Sequence, residues 1–434
     1  MSVFVRREDG ALTILNLVLI VVLAIFAGIG IDMANLIAAR TQLQVAADAA
    51  AHTTLLMREQ MSADNAKLQG IATARQNMPN NRYGDVLRVE NIHFGTYDRA
   101  TKTFNIDENQ RDAVYVMTDR LAQNANPVSS FLLQLIGFWE WDVRTTAVYE
   151  TYRPHCFEEG MVGEDVVTTS SNNHFTNGFC VHSNKYVSLR IDNRFDNGAI
   201  VSMPRLADID LPASGMTMNP GLPTSMIPQA FRIRALNRLD DWYDAMVNPN
   251  HEDFRSYITN TTPIRATLNG SSHQKTPADF TAGRVHDFVC SNGPGKLTLS
   301  GALFEGFVIR TENCKIVFSE NTELRNVVII TKSTDDNSIT APSGLQLGKK
   351  DNCAAGNGAQ ILTWGGAHIA GNLSLYGGQI IARKDVEFAA NADGFEGASI
   401  VSGAEIKGTS NMVMGRCNAG MEDNFEVDYF RLAG

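Results

Sequence analysis

A chain of 434 residues exceeds what one hydrophobic core usually accommodates, so two or three folded units are expected besides any membrane segment. The net charge of −10, with no basic run beyond one pair of arginines, argues against nucleic-acid binding. Six cysteines, an even number, point to disulfides formed in an oxidising compartment.

Residues 11–31 contain no charged side chain, and only Thr13 and Asn16 are clearly polar. At about 1.5 Å of rise per residue, a helix of that length crosses a hydrocarbon core of roughly 30 Å. Arg6 and Arg7 precede the run and Asp32 closes it. The positive-inside rule then leaves the N-terminus in the cytoplasm and exports the rest. This predicts a single-pass protein of a bacterial inner membrane, its bulk periplasmic or displayed outside the cell. A cleaved signal peptide would have a shorter apolar core and a small-x-small site; here helix-favouring sequence follows without a break. Asn16, an amide inside the bilayer, favours a hydrogen-bonding partner helix.

Residues 32–80 read as an alanine-rich extension, helical to about Met78. Leu36, Leu43, Ala50 and Met57 recur along one line, and Ala39, Ala46 and Thr53 form a small-residue line beside it. Such a seam lets another helix approach closely, which makes Asn16, Leu36, Leu43, Ala46 and Ala50 candidates for helix association. The same face could equally pack on the chain's own next domain. Pro79 between asparagines ends the helix.

Residues 81–152 have the pattern of a small α+β unit. Apolar and polar residues alternate over 86–95, 113–118 and 141–148, as half-buried strands require. Between them Pro127 opens an apolar helical stretch, 128–136, predicted to cover one face of an antiparallel sheet. Trp139 and Trp141 are expected to pack against that helix.

Residues 153–434 are expected to form one β-rich domain. Its first part has the texture of loops, glycines and cysteines, with strand-like islands at 186–191 and 199–203. A helical insertion follows near 205–285, with an amphipathic helix over about 230–247 that carries Phe231, Ile233, Leu236, Leu239, Trp242 and Met246. From about Val285 to Cys417, short β-rich bursts recur, such as Val327-Val328-Ile329-Ile330 and Gln379-Ile380-Ile381-Ala382. Comparable bursts lie about 20 residues apart, from Phe307 to Val327 and from Gln379 to Ile400, which predicts a parallel β-helix. An irregular antiparallel sandwich is the competing architecture.

Cys156, Cys180, Cys290, Cys314, Cys353 and Cys417 allow 15 pairings. Nearest-neighbour pairing, 156–180, 290–314 and 353–417, gives the first two pairs equal separations that suit successive coils. His155, His174 and His182 lie near the first pair, but a disulfide accounts for its cysteines better than zinc does. Gly293-Pro294-Gly295-Lys296 lacks the remaining positions of a phosphate-binding loop and reads as a turn. Carboxylates at Glu305, Glu312, Glu320, Glu323, Asp385, Glu387 and Glu405 are scattered, without the compact set that a glycosidase or lyase would need. The expectation is therefore no enzyme, no cofactor and no metal.

Two stretches carry a family resemblance. The first is Arg7-Glu8-Asp9-Gly10, the apolar run, Gly30-Ile31-Asp32, and then Arg40-Thr41-Gln42-Leu43-Gln44-Val45-Ala46-Ala47-Asp48-Ala49-Ala50-Ala51. The second is Ile92-His93-Phe94-Gly95-Thr96-Tyr97, then Ala113-Val114-Tyr115-Val116, then 127–138 and 143–148. Together, over the first third of the chain, they resemble the TadG-like proteins of the Tad (Flp) pilus assembly system. The resemblance implies a pilin-like partner set: the inner membrane, other pilin-like subunits and the Tad machinery. Prepilin-type processing at Gly10 would call for a glutamate five residues on, where Leu15 stands, so the helix is expected to be retained. The Asp-x-Ser-x-Ser run of a von Willebrand factor A domain, common in such proteins, is not in the sequence. The expected fold is a membrane anchor, a small pilin-like α+β domain and a disulfide-stapled parallel β-helix. The expected function is pilus assembly, priming or tip display, with a surface or polysaccharide ligand in view. An envelope-anchored carbohydrate-binding or carbohydrate-active protein is the alternative.

Overall fold

A computed structural model describes residues 9–291 and 295–434, in two compact units: Met1–Tyr152 with Asp428–Gly434, and Arg153–Val427. Arg6, Arg7 and the first part of the Gly293–Lys296 turn lie outside the described residues.

The first unit is built on one long helix, α1 (Asp9–Arg58). From Thr13 it is long and apolar enough to cross a membrane. The predicted unbroken helix to Met78 is corrected: α1 stops at Arg58, and Ser62 caps a second helix, α2 (Ala63–Asn77), by accepting the Asn65 N–H. α2 folds back on α1 at Gly70, where a Cβ would lie 2.0 Å from Thr54 Oγ1. Only glycine allows that approach.

Strands β1 (Ile92–Asp98), β2 (Thr103–Ile106), β3 (Ala113–Arg120), β4 (Val128–Ser129), β5 (Glu140–Trp141) and β6 (Val143–Tyr152) follow. A C-terminal strand, Tyr429–Leu432, completes an antiparallel sheet in the order β2-β1-β3-β6-C-terminal strand, and β4 and β5 form a separate hairpin. The boundary at 153–434 is thus corrected, because residues 428–434 belong to the first unit. Glu150 fixes the last strand, lying 2.6 Å from both Arg99 and Arg431. One face of the sheet presents Ile92, Phe94, Val114, Val116 and Ala147 to Ala47, Ala50, Ala51 and Leu55 of α1. The covering helices are therefore α1 and α2. The predicted helix over 128–136 is corrected too: that stretch holds β4, a loop and a 3₁₀ turn, Leu133–Ile136.

The second unit is a parallel β-solenoid of about 12 turns. Its coils begin at Gly160, not near Val285, and every strand pairing in it is parallel. One column of strands shows the path. The chain starts in mid-stack at Gly160–Gly163, then climbs through Cys180–Ser183 and Ile200–Met203 to Met226–Pro228. Residues 229–259 cross to the opposite end. There Asn260–Leu268 starts a second series that winds back through Arg284–Cys290, Leu303–Thr311, Glu323–Thr331, Ala359–Thr363 and Ala367–Ala382. Its last coil, Val386–Ser402, pairs with the first: Ser399↔Gly160 and Ser402↔Gly163. Coil one thus lies between coils that are close to it in sequence on one side and over 200 residues away on the other.

The crossing segment explains why strands of this column are apolar on both faces. Val327 and Ile329 point into the solenoid, while Val328 and Ile330 pack outward against a cluster with Leu239, Trp242, Tyr243 and Met246. A strand buried on both sides loses its alternation and reads as a continuous apolar run. The predicted amphipathic helix over 230–247 shrinks to two short pieces, Arg234–Asn237 and Leu239–Ala245, and the 205–285 insertion includes solenoid strands at 260–268 and 272–275.

Candidate functional site

Among the predicted helix-association residues, Asn16 is exposed and Leu36 is half-buried. Leu43, Ala46 and Ala50 are fully buried within the chain itself. The small residues bring α1 close to its own sheet, where Thr118 Oγ1 donates to the Leu43 carbonyl at 3.0 Å and Gln44 Nε2 to the Thr146 carbonyl at 3.0 Å. Those three positions form an intramolecular seam in place of the intermolecular one. Most of the apolar run of α1, from Ile14 to Ile31, is exposed, with Gly28 buried.

The three disulfides are Cys156–Cys180, Cys290–Cys314 and Cys353–Cys417. They consume every cysteine and leave the nearby histidines to separate partners. His155 meets Glu158, and His174 meets Asp196 at 2.9 Å. His182 is buried between Ser202 Oγ at 2.7 Å and Asn184 Oδ1 at 3.0 Å, with Phe231 edge-on to its ring. Burial pushes the His182 imidazole down to about 4, with the Asn184 hydrogen bond opposing. Among the described residues no group of three or more metal-ligating side chains converges.

Several of the carboxylates singled out in the sequence pair across or along the coils. Glu323 meets Arg325 at 2.6 Å, Glu405 meets Lys407 at 2.9 Å, and Glu387 faces His368 across one coil step. Asp385 accepts the Glu405 backbone N–H. The Glu387–His368 and Asp385–Glu405 contacts link neighbouring turns, whereas Glu323 and Glu405 pair within their own coil.

The most built feature of the solenoid surface is the joint where its last coil meets its first. Glu158 and Glu159 precede the strand Gly160–Gly163, and Arg416, Cys417 and Asn418 follow Val413–Gly415. Buried Glu159 accepts the backbone N–H groups of Cys417 and Asn418, the latter at 2.6 Å, while Arg416 reaches Glu158 at 2.9 Å. Burial pushes the Glu159 carboxyl above its ordinary value against the pull of those donors. Beside the joint lies a cleft of about 460 Å³ whose lining includes Lys350, Asn352, Glu396 and Arg416. It offers donors and acceptors of both charge signs.

Sequence reasoning missed a second device. Asn173, Asn193 and Asn219 stack as a buried ladder: Asn193 Oδ1 accepts the Asn173 N–H at 3.1 Å, Asn219 Oδ1 accepts the Asn193 N–H at 2.8 Å, and Asn173 Oδ1 accepts the Met412 N–H at 3.0 Å. The ladder thus runs across the joint. Its signal is in the sequence: Asn173-x-Phe175-x-Asn177-Gly178-x-x-Val181 returns as Asn193-x-Phe195-x-Asn197-Gly198-x-x-Val201. Phe175 and Phe195 stack at 4.7 Å, and Gly178 and Gly198 turn the chain with φ near 90°.

A protein-family model described as a domain of unknown function (DUF7867) matches residues 160–418. The chain belongs to that family. The DUF7867 match begins at the first strand of the solenoid and ends just past Cys417, so it encompasses the crossing segment, both series of coils and the 416–418 side of the joint. A second model, described as Flp pilus-assembly TadE/G-like, matches residues 10–53, the part of α1 that spans the apolar run and the start of the buried seam. This DUF7867 protein therefore carries a Tad-type N-terminal segment, which supports a role related to pilus assembly. No curated protein and no solved structure matches it.

Proposed function

We propose that this protein is a non-enzymatic, single-pass component of Tad (Flp) pilus assembly that holds a rigid β-solenoid on the non-cytoplasmic side of the membrane. The match of residues 10–53 to the TadE/G-like family carries this reading. Three disulfides agree with an oxidising compartment, and the arginine pair before the apolar run agrees with an N-terminus inside. The helix retains the chain in the membrane beside pilin-like subunits, and the solenoid surface takes part in assembly, priming or tip display.

The test is deletion of the gene in the source bacterium, with filaments counted by electron microscopy and the full chain affinity-purified from membranes. Loss of filaments, restored by the full chain, together with co-purification of Tad assembly proteins, is the expected result. Normal filaments in the deletion strain, with polysaccharide binding or cleavage by the purified protein, would overturn the proposal in favour of a carbohydrate-directed envelope protein.

A further inference from the structure

Between Arg120 and Glu140 the sequence has no charged residue. The β4–β5 hairpin closes the end of this stretch, with the Ser130 N–H donating to the Trp139 carbonyl at 2.9 Å, and projects a loop over 130–139. Within it, the Leu133–Ile136 turn and Gly137, at φ 90°, direct large apolar side chains outward. Phe131 is 58% exposed, Leu135 79%, Ile136 57%, Phe138 45% and Trp139 65%. Packing of Trp139 against a neighbouring helix, expected from sequence, is thus corrected. Five large apolar groups on one short loop form a patch that a water-exposed surface rarely keeps.

The loop is fixed to α1 at the point where the apolar run ends. Both carboxylate oxygens of Asp32, a buried residue, accept backbone N–H groups from the loop: Phe131 at 2.6 Å, Leu132 at 3.1 Å and Leu133 at 2.7 Å. An aspartate 100 residues away in sequence from Leu132 therefore caps the 3₁₀ turn. Asn35 Nδ2 donates to the Ser129 carbonyl at 3.1 Å. One turn before Asp32, a Cβ on Gly28 would lie 3.0 Å from Leu132 Cβ, so glycine lets the loop seat against the helix. Gly28 lies inside the apolar run, about 5 Å short of its end at Ile31 at helical rise. A loop seated there lies at the depth of the headgroup–acyl boundary, where aromatic and aliphatic side chains are favoured.

We infer that the loop 130–139 inserts into the lipid interface at the Asp32 end of the membrane helix, with Phe131, Leu135, Ile136, Phe138 and Trp139 as its lipid-contacting groups. The anchor is then a helix plus a wedge. A helix alone can rotate about its axis; the wedge sets both the rotation and the depth of the domain folded on α1. This inference rests on the anchoring part of the proposed function and not on the pilus role.

The experiment places the full chain in vesicles of phosphatidylcholine and phosphatidylglycerol and reads tryptophan emission. The difference between the native chain and Trp139→Phe isolates Trp139 from the other three tryptophans. Lipids brominated near the headgroup are expected to quench that emission about twofold, more strongly than lipids brominated near the bilayer centre, while aqueous iodide quenches it weakly. Quenching by iodide but not by lipid, or shielding from both quenchers as in a protein contact, overturns the inference with the anchor intact. A chain that does not float with the vesicles overturns the anchor itself, so the two failures are distinguishable. Leu135→Gln with Ile136→Gln, which leaves the Asp32 clasp in place, should shift Trp139 towards iodide; an unchanged lipid response would also count against the inference.

Discussion

In the anchor unit every strand pair of the sheet is antiparallel, and one sheet face is covered by α1 and α2. In the solenoid every pair is parallel, and the interior is filled by side chains stacked from coil to coil. The first arrangement gathers its core from neighbours such as β1 and β3. The second depends on contacts at very different sequence distances, since coil one rests on one coil about 20 residues further along the chain and on another over 200 residues further along. Parallel pairing lets a coil accept any partner of matching shape, so a solenoid can be entered in its middle and closed later. The two units also share a consequence: Tyr152 and Tyr429 are ladder partners in the sheet, and the solenoid's first and last coils are neighbours, so each unit tolerates a chain that leaves and returns at one place.

The contrast predicts that the late closure of the solenoid is the costliest part to disturb. Cys353→Ser with Cys417→Ser opens a cross-link of separation 64 and should lower solenoid stability by about 4 kcal/mol, against about 3 kcal/mol for the Cys156–Cys180 pair of separation 24. Guanidinium unfolding followed by circular dichroism checks the order. Equal losses would mean that closure over a long loop has no special role.

In the anchor unit, Leu43→Ala should cost about 3 kcal/mol, because its fully buried side chain sits where α1 meets the rest of the unit. Its effect should fall on the helical signal and leave the β transition in place. One merged transition would break the distinction between the units.

Acid should act on the solenoid through His182. Its imidazole binds a proton in the unfolded chain near pH 6.5 but only near pH 4 in the fold, so its contribution is complete above 6.5 and is lost as pH falls towards 4. The loss amounts to about 3 kcal/mol for the full shift. His182→Gln should flatten that part of a stability–pH curve measured by denaturant titration; a curve with unchanged slope contradicts the assignment.

The smallest effect is expected at the asparagine ladder. Asn193→Ala removes the Oδ1 that accepts from both the Asn173 backbone and its side chain, and should cost about 2 kcal/mol in thermal unfolding of the solenoid. Asn193→Asp, which keeps an acceptor, should recover part of it.

Much of the contrast was legible in the residues. The membrane helix needed only an uncharged run of sufficient length. The later coils announced themselves as doublets such as Ile329-Ile330 and Ile380-Ile381, although their outward members are apolar only because the crossing segment covers them. The earlier coils were harder to read, since their strands are three or four residues long and their turns are rich in asparagine and glycine. The Asn-x-Phe-x-Asn-Gly repeat was the signal that would have exposed them. The stretch 128–136 reads as a helix in sequence because an apolar run of that length has no periodicity that separates a buried helix from the strand, loop and 3₁₀ turn it forms.

By itself the sequence determined the anchor, the even set of cysteines, the sheet-forming alternation of the small domain and the parallel coil pattern. These are local properties, set by hydrophobic length, period and composition. Tertiary structure alone decided that Leu43, Ala46 and Ala50 face the chain's own sheet, that the last coil stacks on the first, that residues 429–432 return to β6, and that Asp32 caps the loop after β4. Each of those pairs groups far apart in sequence, and which partner fills a buried face or satisfies a carboxylate is fixed by geometry that no short window of residues contains.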